Sequence, residues 1–379
     1  MKTRLKFFEA TAIITGYGIG GGVMTIPYLC SKAGWLSLLI YLPLGFGISA
    51  LMHLLVADMM IRDGEARQLI EVIRKSLGQG RLAFLSWLFL GGTFFAFLTS
   101  LSAYIAGGGQ ILVQLMPIPG WAANLVFYLA AAGVVAFGLK AIGLSEKFAI
   151  AGIGLFVLVF AMGALFKPFS LPAPLAGGVT DHLALFGMIM FCFFAIFSVP
   201  QVVEGLGHCP ELIPRAILTG IGINGGIVLV LTFLTLGLGS EINEVAIITL
   251  GKALGNWAHI LGSLFIILAM LTSYWAISLA LADIIQEQFK WQFLVCWSLA
   301  TVPGFAIVYL GTDSFLRLME LAGGAIGLVI GFGIVPVYRA VLKAHPQPGK
   351  GVNLNFITHP LSQIIIAAGF LLMALGALL

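Results

Sequence analysis

Long apolar runs recur along almost the whole of this chain, and they constrain its fold more than any other feature. Runs of about 20 residues or more are long enough to cross the hydrocarbon core of a bilayer as helices. Charged residues make up only 9% of the 379 residues, whereas a soluble domain carries about 25%. The sequence therefore predicts a polytopic membrane protein and argues against a soluble globular domain.

Eleven of these runs are candidate membrane-spanning helices. They lie near residues 7–31, 35–60, 82–115, 121–139, 144–166, 182–207, 215–239, 255–286, 291–310, 314–338 and 360–379. The segments between them are too short to form a separate domain. Residues 1–379 are therefore predicted to form a single all-α transmembrane domain.

The basic residues predict how these spans are oriented. With the N-terminus inside, 15 of the 19 Lys and Arg residues fall on the cytoplasmic side, and the outer set is Lys32, Lys167, Lys252 and Arg317. This asymmetry is the one that the positive-inside rule requires. We expect a cell-membrane protein with a cytoplasmic N-terminus and an external C-terminus. The net charge of +4 then reflects topology, and neither a nucleic-acid partner nor an obligate protein partner is expected.

A glycine cluster interrupts the first apolar run. Five of the seven residues from Gly16 to Gly22 are glycine. They contain a G-x-G-x-x-G pattern, but an apolar run precedes it and no βαβ unit follows, which argues against a dinucleotide site. Broken backbone near the bilayer centre is tolerated where protein buries it or where it lines a polar cavity. The alternative is that the glycines only allow close helix packing.

The sixth run carries a second candidate break. Pro200 removes a backbone donor within it, and Ser198 and Glu204 place polar groups deep in the apolar run. Interrupted spans at corresponding places in two halves of a chain indicate a transporter with inverted repeats. We therefore predict a 5+5 inverted repeat with helices 1 and 6 broken mid-membrane. Its parts are repeat one at 7–166, repeat two at 182–338 and an extra helix at 360–379.

The two predicted breaks form a site for a zwitterion. Free amides around Ile19, Gly20 and Gly21, together with the positive end of a helix dipole, suit a carboxylate. Free carbonyls in the ranges 15–18 and 194–198 suit a cation or an ammonium group. An anion site beside a cation site describes an α-amino acid.

Short motifs in three of the runs carry a family resemblance. They are Gly18-Ile-Gly-Gly-Gly-Val-Met-Thr-Ile-Pro27-Tyr28 followed by Ala33-Gly34-Trp35, the segment 193–216 ending in Pro214-Arg215-Ala216, and the segment 271–280. With them the chain resembles the amino acid/polyamine/organocation superfamily of LeuT-type transporters. It is most similar to the amino acid/auxin permease branch, which includes tyrosine and tryptophan permeases. The resemblance implies a LeuT-type fold and symport of a neutral, in some members aromatic, amino acid.

The resemblance also implies a sodium site. Ala269, Thr272 and Ser273 stand at i, i+3 and i+4, so they share one face of the eighth helix. In sodium-coupled relatives these oxygens are joined by two carbonyls of the first helix, which alignment at Pro27 assigns to Thr15 and Gly18. The alternative is that both hydroxyls bond carbonyls of their own helix.

Protons are the competing coupling ion, and no other cofactor is expected. Proton-coupled relatives can place a lysine in the middle of the fifth helix, whereas Lys147 lies near the start of that run here. Glu204 and Glu320 are the sharper candidates for a proton carrier, and Glu320 with Arg317 is also a candidate outer gate. Further titratable residues within or at the ends of spans are His53, Asp58 and Asp283.

Aromatic and hydroxyl side chains near the breaks are candidates for contacts with the substrate. Phe194 and Phe197 would cover the substrate side chain beside Ser198, and Tyr104 would donate to the carboxylate. Packing against lipid is the alternative for the two phenylalanines. A receptor that binds a nutrient without transporting it is the alternative function. The sequence has no paired catalytic constellation, so an enzyme is not expected.

Overall fold

The computed structural model describes residues 5–20, 22–64, 68–77, 83–137, 139–311, 315–347, 352 and 354–378. These residues form helices and connections without a β-strand, so the predicted all-α fold is confirmed. The α-helices are α1 (Phe7–Gly18), α2 (Gly22–Ala33), α3 (Trp35–Asp63), α4 (Leu69–Leu77), α5 (Ala83–Leu115), α6 (Gly120–Ala136), α7 (Leu139–Ala164), α8 (Val179–Cys192), α9 (Val199–Gly205), α10 (Leu212–Leu238), α11 (Ala246–Leu254), α12 (Asn256–Phe289), α13 (Phe293–Tyr309), α14 (Phe315–Ala344) and α15 (Pro360–Leu378).

Seven segments of the described chain are long and apolar enough to cross a membrane. They are Trp35–Asp63, Ser86–Leu115, Val179–Gly205, Leu212–Leu238, Asn256–Phe289, Phe315–Ala344 and Pro360–Ala377. Helices α1 and α2 pass the same test as a pair that is bent by 56°. Three shorter apolar helices are Gly120–Ala136, Phe148–Ala164 and Phe293–Tyr309. The protein is therefore a multi-pass membrane protein, and the number of eleven spans stays a prediction.

Two of the spans lie at the centre of the bundle. In Val179–Gly205 and in α12, 78% of the most apolar window is buried within the protein, against 39% for Pro360–Ala377. Helix α1 packs against α7, α10 and α12, while α14 packs against α5 and α15. An apolar helix at the surface of such a bundle faces lipid, whereas a central helix meets other helices on all sides. The centre is thus built from the first, sixth and eighth runs of the sequence.

The backbone between α1 and α2 turns within four residues. Helix α1 ends at Gly18, where the Ile19 N–H donates to the Thr15 carbonyl at 3.0 Å and the Gly20 N–H donates to the Gly18 carbonyl at 2.9 Å. A Cβ on Gly18 would overlap the side-chain amide of Asn224 on α10 and would lie 2.9 Å from the Cys192 carbonyl. Glycine at this position therefore lets three chain segments meet closely.

The sixth run differs from the prediction in where its helix is interrupted. Helix α8 ends at Cys192, and residues 193–195 precede a single 3₁₀ turn at Ile196–Ser198. Pro200 then lies in the first turn of α9, where its missing N–H would have no partner within the helix in any case. The expectation that Pro200 removes a donor in mid-helix is therefore wrong, since the interruption precedes it.

A histidine from another span supports the interrupted segment. The His53 ring on α3 is fully buried, and its Nε2 accepts the Ala195 N–H at 2.9 Å. Its Nδ1 lies 2.6 Å from the Ser49 carbonyl, so Nδ1 carries the proton that this contact requires. One backbone donor exposed by the interruption is thereby satisfied from α3.

Candidate substrate and cation site

A narrow cavity lies between the α1–α2 turn, the interrupted sixth run, α5 and α12. Its lining comes from these segments and from α14, and consists of Tyr17, Gly18, Gly20, Gly22, Phe97, Ser100, Tyr104, Phe191, Cys192, Phe194, Ile277 and Ile326. Its volume is about 10 Å³, which is room for about one water molecule. An amino acid can enter only if the lining side chains move apart.

The structure gathers half of the predicted substrate residues around this cavity. Gly18, Gly20, Tyr104 and Phe194 belong to the lining. The remaining ones have other positions: Ile19, Phe197 and Ser198 are buried outside the lining, and Gly21 lies outside the described residues.

Three phenylalanines, two of which line the cavity, form a connected aromatic group. The Phe194 and Phe197 ring centroids are 5.9 Å apart, and the Phe97 and Phe197 centroids are 4.6 Å apart. Both pairs are edge-to-face, which is a favourable geometry for aromatic rings. Phe197 thus stands behind the lining and holds Phe97 and Phe194 in place.

In this closed geometry, the backbone amides predicted to bind a carboxylate donate hydrogen bonds to carbonyls of the chain itself. The Ile19 and Gly20 N–H groups donate to Thr15 and Gly18, and the Val23 N–H donates to the Gly20 carbonyl at 3.3 Å. Tyr104 lies directly over this turn, since a Cβ on Gly20 would be 2.7 Å from its Oη. The predicted hydroxyl donor and the predicted amides therefore lie side by side.

Two hydroxyl groups of the lining have no partner among the described residues. They are the Tyr17 Oη and the Ser100 Oγ, both buried. A buried hydroxyl without a hydrogen bond is destabilising by about 1–3 kcal/mol. These two groups are available to a polar ligand once the cavity opens.

Ser273 of the predicted ion site contacts the end of α1, but the carbonyls that it contacts are not the predicted ones. Ser273 Oγ lies 3.0 Å from the Ile19 carbonyl, 3.3 Å from that of Tyr17 and 3.4 Å from that of Gly16. The predicted carbonyls of Thr15 and Gly18 instead accept backbone amides. The carbonyl oxygens near Ser273 therefore belong to Gly16, Tyr17 and Ile19, which are neighbours of the predicted residues.

The second predicted hydroxyl bonds within its own helix. Thr272 Oγ1 donates to the Ala269 carbonyl at 2.9 Å, which is the alternative arrangement that helical Ser and Thr residues adopt. Thr272 is fully buried. Its side chain also faces α1, because a Cβ on Gly16 would lie 3.9 Å from the Thr272 Cβ.

The predicted proton and gate residues lie away from this centre. Glu204 is exposed on α9, and Glu320 forms an ion pair with Arg317 at 3.5 Å in which the two side chains are 32% and 62% exposed. Ion pairs as exposed as this one contribute about 0–1 kcal/mol in water. Asp58, in contrast, is buried and bonds both Arg62 at 2.7 Å and the Tyr338 hydroxyl at 2.6 Å.

Two buried polar residues were missed by the sequence reasoning. Asn224 on α10 is 1% exposed, and neither amide atom has a partner among the residues that the structure describes. Glu146 on α7 is 3% exposed. The sequence did contain a signal for both, since each is a polar residue within an apolar run. Glu146 adjoins Lys147 at the start of its run, however, which is typical of a solvated helix end.

Comparisons with known proteins agree with this architecture. Residues 3–348 match the tryptophan/tyrosine permease family. No curated protein matches the sequence. The fold is similar to that of MhsT in complex with L-phenylalanine, at 16% identity with a TM-score of 0.67 over 100% of both chains. It is also similar to Mhp1, a nucleobase-cation-symport-1 family transporter in a closed conformation with bromovinylhydantoin bound, at 16% identity and a TM-score of 0.63 over 99% of this chain and 91% of that one.

These findings confirm the LeuT-type fold predicted from the resemblance, while the amino acid/auxin permease branch stays a prediction. At 16% identity, the similar solved structures support the fold alone. The family match shows what class of protein this is. Because that match extends over most of the sequence, the chain belongs to the tryptophan/tyrosine permease family and is a membrane transporter rather than an enzyme.

Proposed function

We propose that this protein is a secondary active transporter that imports a neutral amino acid by alternating access, driven by a cation gradient. The observation that carries the proposal is the cavity between two interrupted spans. Backbone ends, the Tyr17 and Ser100 hydroxyls and the Tyr104 hydroxyl all converge there. Such a set of polar groups at the centre of an apolar bundle is typical of a transporter binding site.

The lining favours an aromatic amino acid among the neutral ones. Phe97, Phe191 and Phe194 contribute rings to the cavity, and Ile277 and Ile326 complete its apolar side. An aromatic substrate gains burial and edge-to-face contacts in such a pocket. The phenylalanine bound to MhsT, whose fold is similar, supports this choice.

The proposed membrane arrangement has eleven spans. The seven long segments, the α1–α2 pair and the three shorter apolar helices together give this number. Helices α1–α7 then form repeat one, α8–α14 form repeat two and α15 is the extra helix, all in one domain. The distribution of Lys and Arg supports a cytoplasmic N-terminus and an external C-terminus.

A cation at the junction of α1 and α12 would couple its gradient to the substrate. Ser273 already connects the two helices through carbonyls at the end of α1. A ligand shifts a conformational equilibrium only if it binds the two conformations with different affinity. A site divided between two helices meets this condition, because separating the helices separates its ligands. Sodium is the proposed ion and the proton is its competitor.

Uptake into proteoliposomes tests the proposal. Radiolabelled phenylalanine, tyrosine, tryptophan and leucine are offered to the purified protein while sodium and pH gradients are imposed separately. We expect accumulation that depends on one gradient and is strongest for an aromatic substrate. Absence of gradient-driven uptake for every neutral amino acid would reject transport. Thermal stabilisation by a ligand without any flux would assign the receptor function instead.

A further inference from the structure

An aromatic side chain of the last helix stands behind the wall of the cavity. Phe370 on α15 is fully buried. Its ring centroid lies 6.4 Å from that of Phe194, with an angle of 70° between the ring planes. Phe194 lines the cavity and Phe370 does not. Phe370 therefore supports the lining from outside.

Met373 stands one turn further along the same face of α15. This side chain is also fully buried. A Cβ on Gly323 of α14 would lie 3.8 Å from the Met373 Cε and 3.3 Å from the Phe191 Cδ2. Phe191 is a second ring of the lining. One face of α15 thus lies behind the part of the wall that Phe191 and Phe194 form.

Glycine residues bring the backbone of α15 close to two neighbouring helices. A Cβ on Gly376 would overlap the Leu183 carbonyl of α8 and would lie 3.3 Å from the Gly187 Cα. A Cβ on Gly327 of α14 would lie 2.7 Å from the Phe370 carbonyl. Because backbone atoms meet backbone atoms on two sides, α15 shifts only if α8 or α14 shifts as well.

The cavity has to enlarge before an amino acid fits, and Phe194 is hemmed in by other rings. Its ring centroid lies 6.4 Å from that of Tyr17 and 5.9 Å from that of Phe197. Tyr17 belongs to the lining, so a movement away from the cavity brings the Phe194 ring towards Phe197 or Phe370. Since a closely packed interior has little free space, the bulk of these two side chains limits that movement.

We propose that Phe370 is a positioning residue that sets the largest substrate side chain the cavity accepts, because it limits how far the Phe194 ring moves back. A smaller residue at position 370 leaves space behind Phe194, and a bulkier substrate then fits. Selectivity is a difference between two affinities, so the role appears in their ratio. The role in selectivity rests on the proposed transport function, whereas the support of Phe194 does not.

Ligand binding by the full-length protein in detergent tests the selectivity. Affinities for tryptophan and leucine are measured from ligand-dependent thermal stability for the wild type, Phe370→Ala and Phe370→Leu. We expect the tryptophan-to-leucine affinity ratio to rise about tenfold in Phe370→Ala, an effect of the size that pocket volume has on selectivity. Phe370→Leu should change the ratio less and in the same direction, and it keeps the test decisive if Phe370→Ala fails to fold.

A second measurement needs no ligand. Cys192 lines the cavity, whereas Cys209 lies outside it. The rate at which a maleimide modifies Cys192, relative to Cys209, therefore reports how readily the wall opens. We expect this relative rate to rise severalfold in Phe370→Ala and to rise less in Phe370→Leu.

Two substitutions serve as matched controls. Phe265→Leu shortens a buried phenylalanine of α12 that packs against Phe156 and lies outside the lining. Leu372→Ala changes α15 itself at a position that is 42% exposed. Both should keep the wild-type affinity ratio and the wild-type Cys192 rate, even where Phe265→Leu lowers the thermal midpoint.

The outcomes separate this inference from the transport function. A raised affinity ratio in the Phe370 variants supports the inference. An unchanged ratio, or an equal loss of affinity for both amino acids, overturns it and leaves uptake by the wild type as the evidence for transport. Faster Cys192 modification in Phe370→Ala, with a wild type that neither binds nor accumulates an amino acid, supports the contact with Phe194 while the transport function fails.

Discussion

At Gly18, the effect of one methyl group depends on neighbours that belong to two other segments. The Asn224 side-chain amide and the Cys192 backbone carbonyl crowd the position where a Cβ would stand, and the carbonyl can withdraw only if the end of α8 moves. Overpacking of a buried site costs about 1–3 kcal/mol. The absence of a side chain at Gly18 therefore lets the end of α1 approach α10 and the end of α8 closely beside the cavity.

We expect Gly18→Ala to lose most substrate uptake while some folded protein remains, because the added methyl group separates the α1 end from Asn224 and Cys192. Uptake and the thermal midpoint of the purified variant measure this. Gly47→Ala is the matched control, since its Cβ would meet no atom within 4 Å. Equal uptake by both variants would contradict the close approach at Gly18.

The Ser273 and Thr272 hydroxyls of the predicted ion site should differ in their effect on sodium binding. Ser273 reaches carbonyls of α1, whereas Thr272 donates to a carbonyl of its own helix. We expect Ser273→Ala to weaken the sodium dependence of uptake at least tenfold and Thr272→Ala to weaken it less. Ser278→Ala is the control, because this buried serine bonds carbonyls of α12 alone and should leave the dependence unchanged. The reverse order would place the ion elsewhere.

Sequence reasoning identified some of these residues and missed others for physical reasons. Ser273 was identified because the resemblance implies a hydroxyl at this spacing from Ala269, and that spacing is visible in the chain. Asn224 and Glu146 were missed because their importance lies in contacts with Gly18 and Gly16, which are distant in sequence. A buried polar residue can be suspected from an apolar run, but its neighbours appear only when the helices are packed.

Among the elements, the interrupted sixth run makes a hydrogen bond with another span. The buried N–H of Ala195 would lack a partner without the His53 ring on α3. Proline was the visible signal for a break, yet it begins α9. Span limits, in contrast, follow from local hydropathy: the run predicted at 215–239 forms Leu212–Leu238, and the run at 35–60 forms Trp35–Asp63. Hydropathy thus predicts where helices lie, whereas long-range hydrogen bonds decide where they stop within a span.

We expect His53→Leu to lower the free energy of unfolding by about 1–3 kcal/mol, because a buried backbone N–H then loses its acceptor. His53→Gln, which keeps an acceptor on a side chain of similar reach, should recover part of the loss. Thermal unfolding in detergent measures both. His208→Leu, at an exposed position, should change little, and an equal loss at His53 and His208 would contradict the support role.

For the whole molecule, alternating access requires the cavity to open and close, and one native side chain can report this. Cys192 lines the cavity and is 2% exposed, while Cys209 lies partly exposed outside it. Cys30 and Cys296 are buried elsewhere. The thiols therefore differ in access before any residue is replaced.

We expect a maleimide to modify Cys209 faster than Cys192, and a saturating transported amino acid to slow the modification of Cys192 alone. The substrate fills the cavity that the reagent must enter, which is the physical reason. Peptide mass spectrometry over a time course measures both rates in one sample, with Cys209 as the internal control. Equal rates that the substrate leaves unchanged would show that Cys192 does not face the pathway.

The small volume of the cavity also bears on the membrane as an electrical barrier. A cavity with room for about one water molecule holds no continuous file of water, and such a file is what protons and hydrated ions need in order to cross. In the conformation described here, this cavity therefore provides no aqueous path for ions. A continuous file of water at this place would require the aromatic group and the α1–α2 turn to move apart.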